Sequence, residues 1–194
     1  VNLLRSVHDQ YEITLLLFHP AGELIKEIPK DIRLLPVRSA YRFLGMTKQD
    51  VQKCPAWKLC RSIYAAVSRV FGRSRAIDLM ALGQKRITGY DAAVSFLHDA
   101  GDKVFYGGCN DFVLRHVEAR KKIAFLHCDF EKSGADTAQN RARYEKFDVI
   151  APCSRGCGEV FVRANPSLAD RCHVVRNCHD YSGVRKKADE AEVE

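Results

Sequence analysis

The sequence has no run of apolar residues near the roughly 20 that cross a bilayer; the longest, Ile13 to Phe18, is interrupted by Thr14. No secretory signal is expected at its start either, since Arg5, His8 and Asp9 all fall among the first ten residues. There is no internal repeat, and no low-complexity segment beyond a short acidic stretch, Asp189 to Glu194. Together these absences set aside a spanning helix, disorder and collagen-like repeats. What remains is a chain of 194 residues, 46% apolar and 28% charged, long enough for one domain with a substantial hydrophobic core. The eight cysteines lack the spacing of a small disulfide scaffold, and Cys128 and Cys153 sit inside apolar runs. Reduced thiols and a cytoplasmic setting are the expectation.

Charge is unevenly spread. Between Arg42 and Arg86 lie ten basic residues against Asp50 and Asp78, an excess of eight in a chain whose net charge is +7. One segment therefore holds the whole excess, and the remainder is close to neutral. Such a patch predicts an anionic partner: membrane phosphate, a phosphorylated lipid or nucleic acid. Within it, Leu59, Ile63, Val67, Val70 and Phe71 recur at helical spacing. Trp57, Tyr64 and Phe71 stand near Lys58, Arg61, Arg69 and Arg73, a mixture resembling interfacial helices. A solvated charged face is the plainer reading of the same pattern. No recognition motif accompanies the charge, so nucleic acid is the least favoured partner.

Elsewhere, short β-favouring runs alternate with amphipathic segments. Residues 11–19 and 31–37 read as strands, then 91–98, 122–128, 148–154 and 172–176. Helices are predicted over 56–71, 74–82, 111–119, 138–146 and 155–162. Val1 to Val7 reads as the end of a helix ahead of the first strand. Alternation of this kind predicts an α/β fold with a doubly wound parallel sheet. Such a domain normally starts on a central strand with a tight turn after it. Neither is present here, so a sequence lacking its first strand is expected.

Ligands of open parallel sheets bind beyond the carboxyl ends of the strands. Polar residues predicted there are Ser95, His98 and Asp99, then His127 and Asp129, then Ser154. Imidazole can donate or accept a proton near neutral pH, which makes His98 and His127 candidates; each could equally be a hydrogen-bonded loop residue. Ser154 precedes a helix and reads as an N-cap, a position that also attracts anions. The pairs Cys172-His173 and Cys178-His179 do not match the knuckle spacing of structural zinc. Cys153 and Cys157 lack the two-residue spacing of a redox pair.

Five segments carry a family likeness: Tyr11 to Leu17, Tyr90 to Phe96, Lys121 to His127, Tyr144 to Ser154 and His173 to Asp180. In this order and spacing they resemble the N-terminal domain of glycosyltransferase family 4, whose members have the two-domain GT-B fold. The likeness spares the basic segment Arg42–Arg86. It implies that residues 1–175 are a Rossmann-like, acceptor-side domain and that 176–194 are a hinge and the start of a C-terminal donor-binding domain. It further implies retaining transfer of a sugar from a nucleotide-sugar donor to a glycan or lipid-phosphate acceptor, as in polysaccharide or glycolipid assembly, with no additional cofactor. His127 matches the family histidine near the transferred sugar and is the expected catalytic residue. Ser154 and Asn177 match a strand-end serine and a hinge asparagine, and they join His98 and Asp129 as expected substrate-binding residues. Arg176 and Cys178 flank Asn177 where the family hinge often reads Pro-Asn-Gly. The family's glycine-rich first loop and paired-glutamate segment are missing, which implies that the chain alone does not catalyse transfer. The alternative is a non-catalytic Rossmann-like module binding a nucleotide or a protein.

Overall fold

The computed structural model describes residues 1–101, 104–105 and 107–190, with Lys187 described in its backbone only. The chain runs α1 (Asn2–Val7), β1 (Thr14–Leu17), a 3-10 turn (Glu23–Glu27), β2 (Arg33–Pro36), α2 (Arg42–Gly45), α3 (Lys48–Gln52), α4 (Pro55–Phe71) and α5 (Arg73–Met80). It continues through β3 (Ile87–Ser95), α6 (Cys109–His116), β4 (Val117–Leu126), α7 (Ala138–Tyr144), β5 (Val149–Pro152), α8 (Arg155–Ala164), a second 3-10 turn (Pro166–Arg171) and α9 (Tyr181–Glu190). This is the alternation of a doubly wound, Rossmann-like α/β architecture. The acidic stretch at 189–194 lies outside the described residues beyond Glu190.

Two compact units divide the chain. One comprises Val1–Leu16, Pro20–Leu35 and the segment from Asn177 onward; the other comprises Leu17–His19 and Pro36–Arg176. In the first unit, Arg5 pairs with Glu27 at 3.1 Å and His8 Nδ1 meets Asp31 Oδ2 at 3.0 Å. That bond to His8 holds the Asp31 carboxyl below its ordinary value. β1 and β2 form a two-stranded sheet. Arg33 N donates to Ile13 O and Val37 N to Leu17 O, bonds that advance in the same sense along both strands, as parallel pairing requires.

The second unit is built on a three-stranded parallel sheet in the order β3-β4-β5. Its register sets Val94 beside Ile123, Ser95 beside Ala124, and Leu126 beside Pro152. Beyond β5, Cys172 bridges Ile150 in parallel, and His173 N and Val175 N donate to Ile150 O and Pro152 O. The segment read as a closing strand is therefore an edge partner of β5 that makes a single bridge. The connections through α6, α7 and α8 all advance toward this edge. From these helices Val113, Tyr144 and Phe161 pack on Ala93, Ala124, Leu126 and Ile150 of the strands. The period-2 alternation of a strand sends Val94 and Phe96 to the opposite face, where they are 47% and 51% exposed.

Two expectations need correction. The helix anticipated through Ala119 ends at His116, and β4 starts at Val117 without an intervening loop. The β-branched Val117 takes an extended conformation (φ −111°, ψ 123°) directly after the last helical turn. In α4, Trp57 and Tyr64 are not interfacial: both pack on the buried cluster Phe43, Met46 and Val51, with the Arg42 guanidinium 4.9 Å from the Trp57 ring centre. Leu59, Ile63, Val70 and Phe71 face outward, each more than half exposed. α4 thus buries Trp57 and Tyr64 and shows Leu59, Ile63 and Val70, with Phe71 exposed at its end. Gly72 (φ 86°) then turns the chain from α4 into α5.

Candidate functional site

β3, β4 and β5 are adjacent and parallel, so their carboxyl ends open on the same edge of the sheet. His127 is the residue after β4. Its ring stacks on Phe125 (5.5 Å between centroids, 18° between planes) and meets Phe96 at 4.6 Å and 62°. Phe125 and His127 share a face because side chains two apart in an extended chain point the same way. The His127 Nε2 atom is buried and has no hydrogen-bond partner. His98 follows β3 by three residues and lies close enough to His127 to feel its charge. Burial, and then that charge, push the His98 imidazole below its ordinary value, with Asp99 opposing. The two histidines are thereby drawn into one neighbourhood at two adjacent strand ends.

The other expected residues are occupied locally. Asp129 Oδ1 accepts the backbone N–H groups of Glu131 (3.1 Å) and Lys132 (2.8 Å), closing the turn after β4. Ser154 is the N-cap of α8, and its Oγ accepts the N–H of Cys157 at 3.2 Å. Asn177 is exposed and belongs to the first unit. Ser95 is buried inside the fold.

The most developed polar assembly was not foreseen. Asp99 is fully buried and accepts from Arg73 Nη1 (2.9 Å) and Asn110 Nδ2 (2.8 Å). Arg143 Nε donates to Asp111 Oδ1 at 3.0 Å, while Asn140 Oδ1 accepts from both arginines and its Nδ2 donates to Ala100 O and Ala135 O. Arg73, one of the ten basic residues between Arg42 and Arg86, is 1% exposed and neutralised by Asp99, so it adds nothing to the surface charge of that segment. The six residues come from α5, the loop after β3, α6 and α7, with no local spacing to announce them. The only sequence signal was Asp99 itself, placed just past a strand end.

Grooves on the described surface include one along α9 and one among Ser74, Arg115, Lys122, Arg143 and Lys146; His98, His127 and Ser154 line neither of these. Among the described residues, no cluster of three or more His, Cys, Asp or Glu side chains is arranged to hold a metal ion, and no helix is long and apolar enough to cross a membrane. The architecture and its strand-end histidines define a Rossmann-like α/β protein. The chain matches no protein-family model and no curated protein.

Proposed function

We propose that the chain is the acceptor-side half of a retaining glycosyltransferase that moves a sugar from a nucleotide-sugar donor to a glycan or lipid-linked acceptor. The observation that supports this reading is the convergence of His98 and His127 at adjacent parallel strand ends, with His127 Nε2 left without a protein partner. A ring nitrogen so placed can bind a ligand hydroxyl. Phe96 and Phe125 supply apolar walls against which the carbon face of a sugar ring would rest. Transfer requires donor and acceptor to be held together in a water-poor site. His127 lines neither of the two grooves described above, and one wall of a two-sided cleft is the setting this reading calls for. His127 is the proposed catalytic residue, and His98, Asp129 and Ser154 are the proposed acceptor contacts.

The proposal extends to an anionic membrane surface. Leu59, Ile63 and Val70 form an exposed aliphatic stripe on α4, and Lys58, Arg69 and Arg75 are exposed beside it on α4 and α5. Apolar burial and cation attraction together draw such a face to acidic headgroups.

The test is ligand binding by the purified chain, followed by saturation-transfer NMR with polyprenyl phosphates, glycans and nucleotide sugars. Acceptor binding weakened at least tenfold in His127→Ala, with an unchanged circular dichroism spectrum, supports the reading. Binding of nucleotides alone, indifferent to His127, replaces it with the non-catalytic module. Sugar transfer by the isolated chain overturns the half-site view.

A further inference from the structure

Cys153 follows β5, and Cys157 lies in the first turn of α8. Spacing alone argues against a redox pair, because the residues are four apart. The extended N-cap Ser154 (φ −152°, ψ 162°) reverses that expectation. It turns the chain from strand to helix so that both side chains project the same way, and the Cys153 thiol donates to Cys157 Sγ at 3.9 Å. Both residues are partly accessible, so a small oxidant can reach them. A third thiol, Cys128, just past β4, lies near enough for its charge to be felt at Cys153.

We propose that Cys153 and Cys157 form an oxidisable dithiol that closes to a reversible intrachain disulfide on reaction with a peroxide. Cys157 accepts the hydrogen bond and is the attacking sulfur. As thiolate it takes one oxygen of hydrogen peroxide; the O–O bond breaks, and the other oxygen leaves as hydroxide and is protonated to water. Cys157 is then a sulfenic acid. The Cys153 sulfur attacks it, the S–S bond forms, the S–O bond breaks, and the oxygen leaves with two protons as water. Two thiols lose two electrons, and both peroxide oxygens are reduced. Closure requires the sulfurs to approach from 3.9 Å to about 2.05 Å. Cys128 also lies within electrostatic range of both thiols, so the identity of the partner is the point at issue.

The product would fasten the end of β5 to α8 at Ser154, on the edge of the sheet that carries His127. The proposal stands apart from the glycosyltransferase reading, since its readout is a covalent bond rather than binding or turnover.

Trypsin separates the three thiols cleanly, because Arg155 lies between Cys153 and Cys157. Cys153 falls in Phe147–Arg155, Cys157 in Gly156–Arg163, and Cys128 in Ile123–Lys132. The folded chain is treated with a slight excess of hydrogen peroxide, alkylated, digested and mapped by mass spectrometry. The expected product is Phe147–Arg155 joined to Gly156–Arg163, two hydrogens lighter than their sum and split by dithiothreitol. Cys153→Ser and Cys157→Ser should each abolish it. The wild-type map decides the matter even where a variant folds poorly. Overturning results are Cys157 sulfinic acid beside an alkylated Cys153, a Cys128 peptide joined to either partner, or two alkylated peptides when other thiols have oxidised.

Discussion

Arg73 and Asp99 form an ion pair sealed from water: Nη1 lies 2.9 Å from Oδ1, and neither side chain exposes more than 1% of its surface. Arg143 and Asp111 make a second pair beside it at 3.0 Å, so the formal charges of the cluster cancel. Removing one member of a buried pair strands the other charge, which typically costs about 3–5 kcal/mol. Asp99→Ala should destabilise the second unit by about that amount, measured as the shift in urea midpoint with the slope checked for two-state behaviour. The paired replacement Arg73→Met with Asp99→Leu should cost much less, since it removes both charges and keeps apolar volume. A double variant as unstable as Asp99→Ala would show that the hydrogen bonds of Asn110 and Asn140, rather than the charges, hold the cluster.

The protonation of His98 has a definite sign. Its imidazole is pushed below the ordinary value of about 6.5, first by burial and then by His127. His116 is also pushed down, by burial, Arg115 and Arg86. A group that binds protons less well when folded contributes stability that is present above about pH 6.5 and lost as pH falls through its folded value. Denaturation midpoints should therefore drop on acidification below about pH 6.5, and less steeply in His98→Gln. In His127→Gln the NMR titration of His98 should move upward, toward the ordinary value. A downward or absent movement would show that the two rings do not sense each other.

The sheet of the second unit was legible because β3, β4 and β5 each contain an uninterrupted apolar run, as strands covered by helices should. The junction between α6 and β4 was not. Arg115 to Lys121 contains no glycine, proline or asparagine to punctuate it, so the helical period was carried three residues too far. For α4, periodicity identified a helix with an apolar side but could not say which neighbour it would meet. Trp57 and Tyr64 found Phe43 and Met46, and the aliphatic stripe was left outside. At the site, strand direction pointed to His98 and His127 after neighbouring strands, whereas the flanking rings of Phe96 and Phe125 emerged only in the structure. The Arg73–Asp99 cluster was invisible because four separate segments deliver it. The nearness of Cys153 and Cys157 depended on a backbone turn at Ser154 that spacing rules do not encode.

The corrected geometry of α4 changes which residues should matter at a lipid surface. Arg73 is neutralised inside the fold, and Arg61 leans over the Phe105 ring at 5.3 Å. Charge reversal at exposed Lys58, Arg69 and Arg75 is the informative change. Each cation near an acidic membrane contributes about 1 kcal/mol, so the triple reversal should weaken sedimentation with phosphatidylserine vesicles by at least a hundredfold. Ile63→Ser should weaken it further by removing apolar burial. Binding should also fall as salt rises, because exposed charges are screened. Equal binding to neutral and acidic vesicles would remove the electrostatic basis of the proposal.

Ser154 can be asked which of two duties it performs. As an N-cap, its Oγ satisfies the Cys157 N–H, and loss of such a cap costs about 0.5–2 kcal/mol. Ser154→Ala should lower stability by about 1 kcal/mol. Ser154→Asp should restore it, since a carboxylate both caps and favours the positive end of α8. The two variants separate the structural role from a ligand role. If Ser154 also binds the phosphate of an acceptor, Asp restores the melting temperature while abolishing phosphate-dependent binding by repulsion. If capping is its whole task, Ser154→Asp recovers stability and binding together, and the strand-end contacts then rest on His98 and His127.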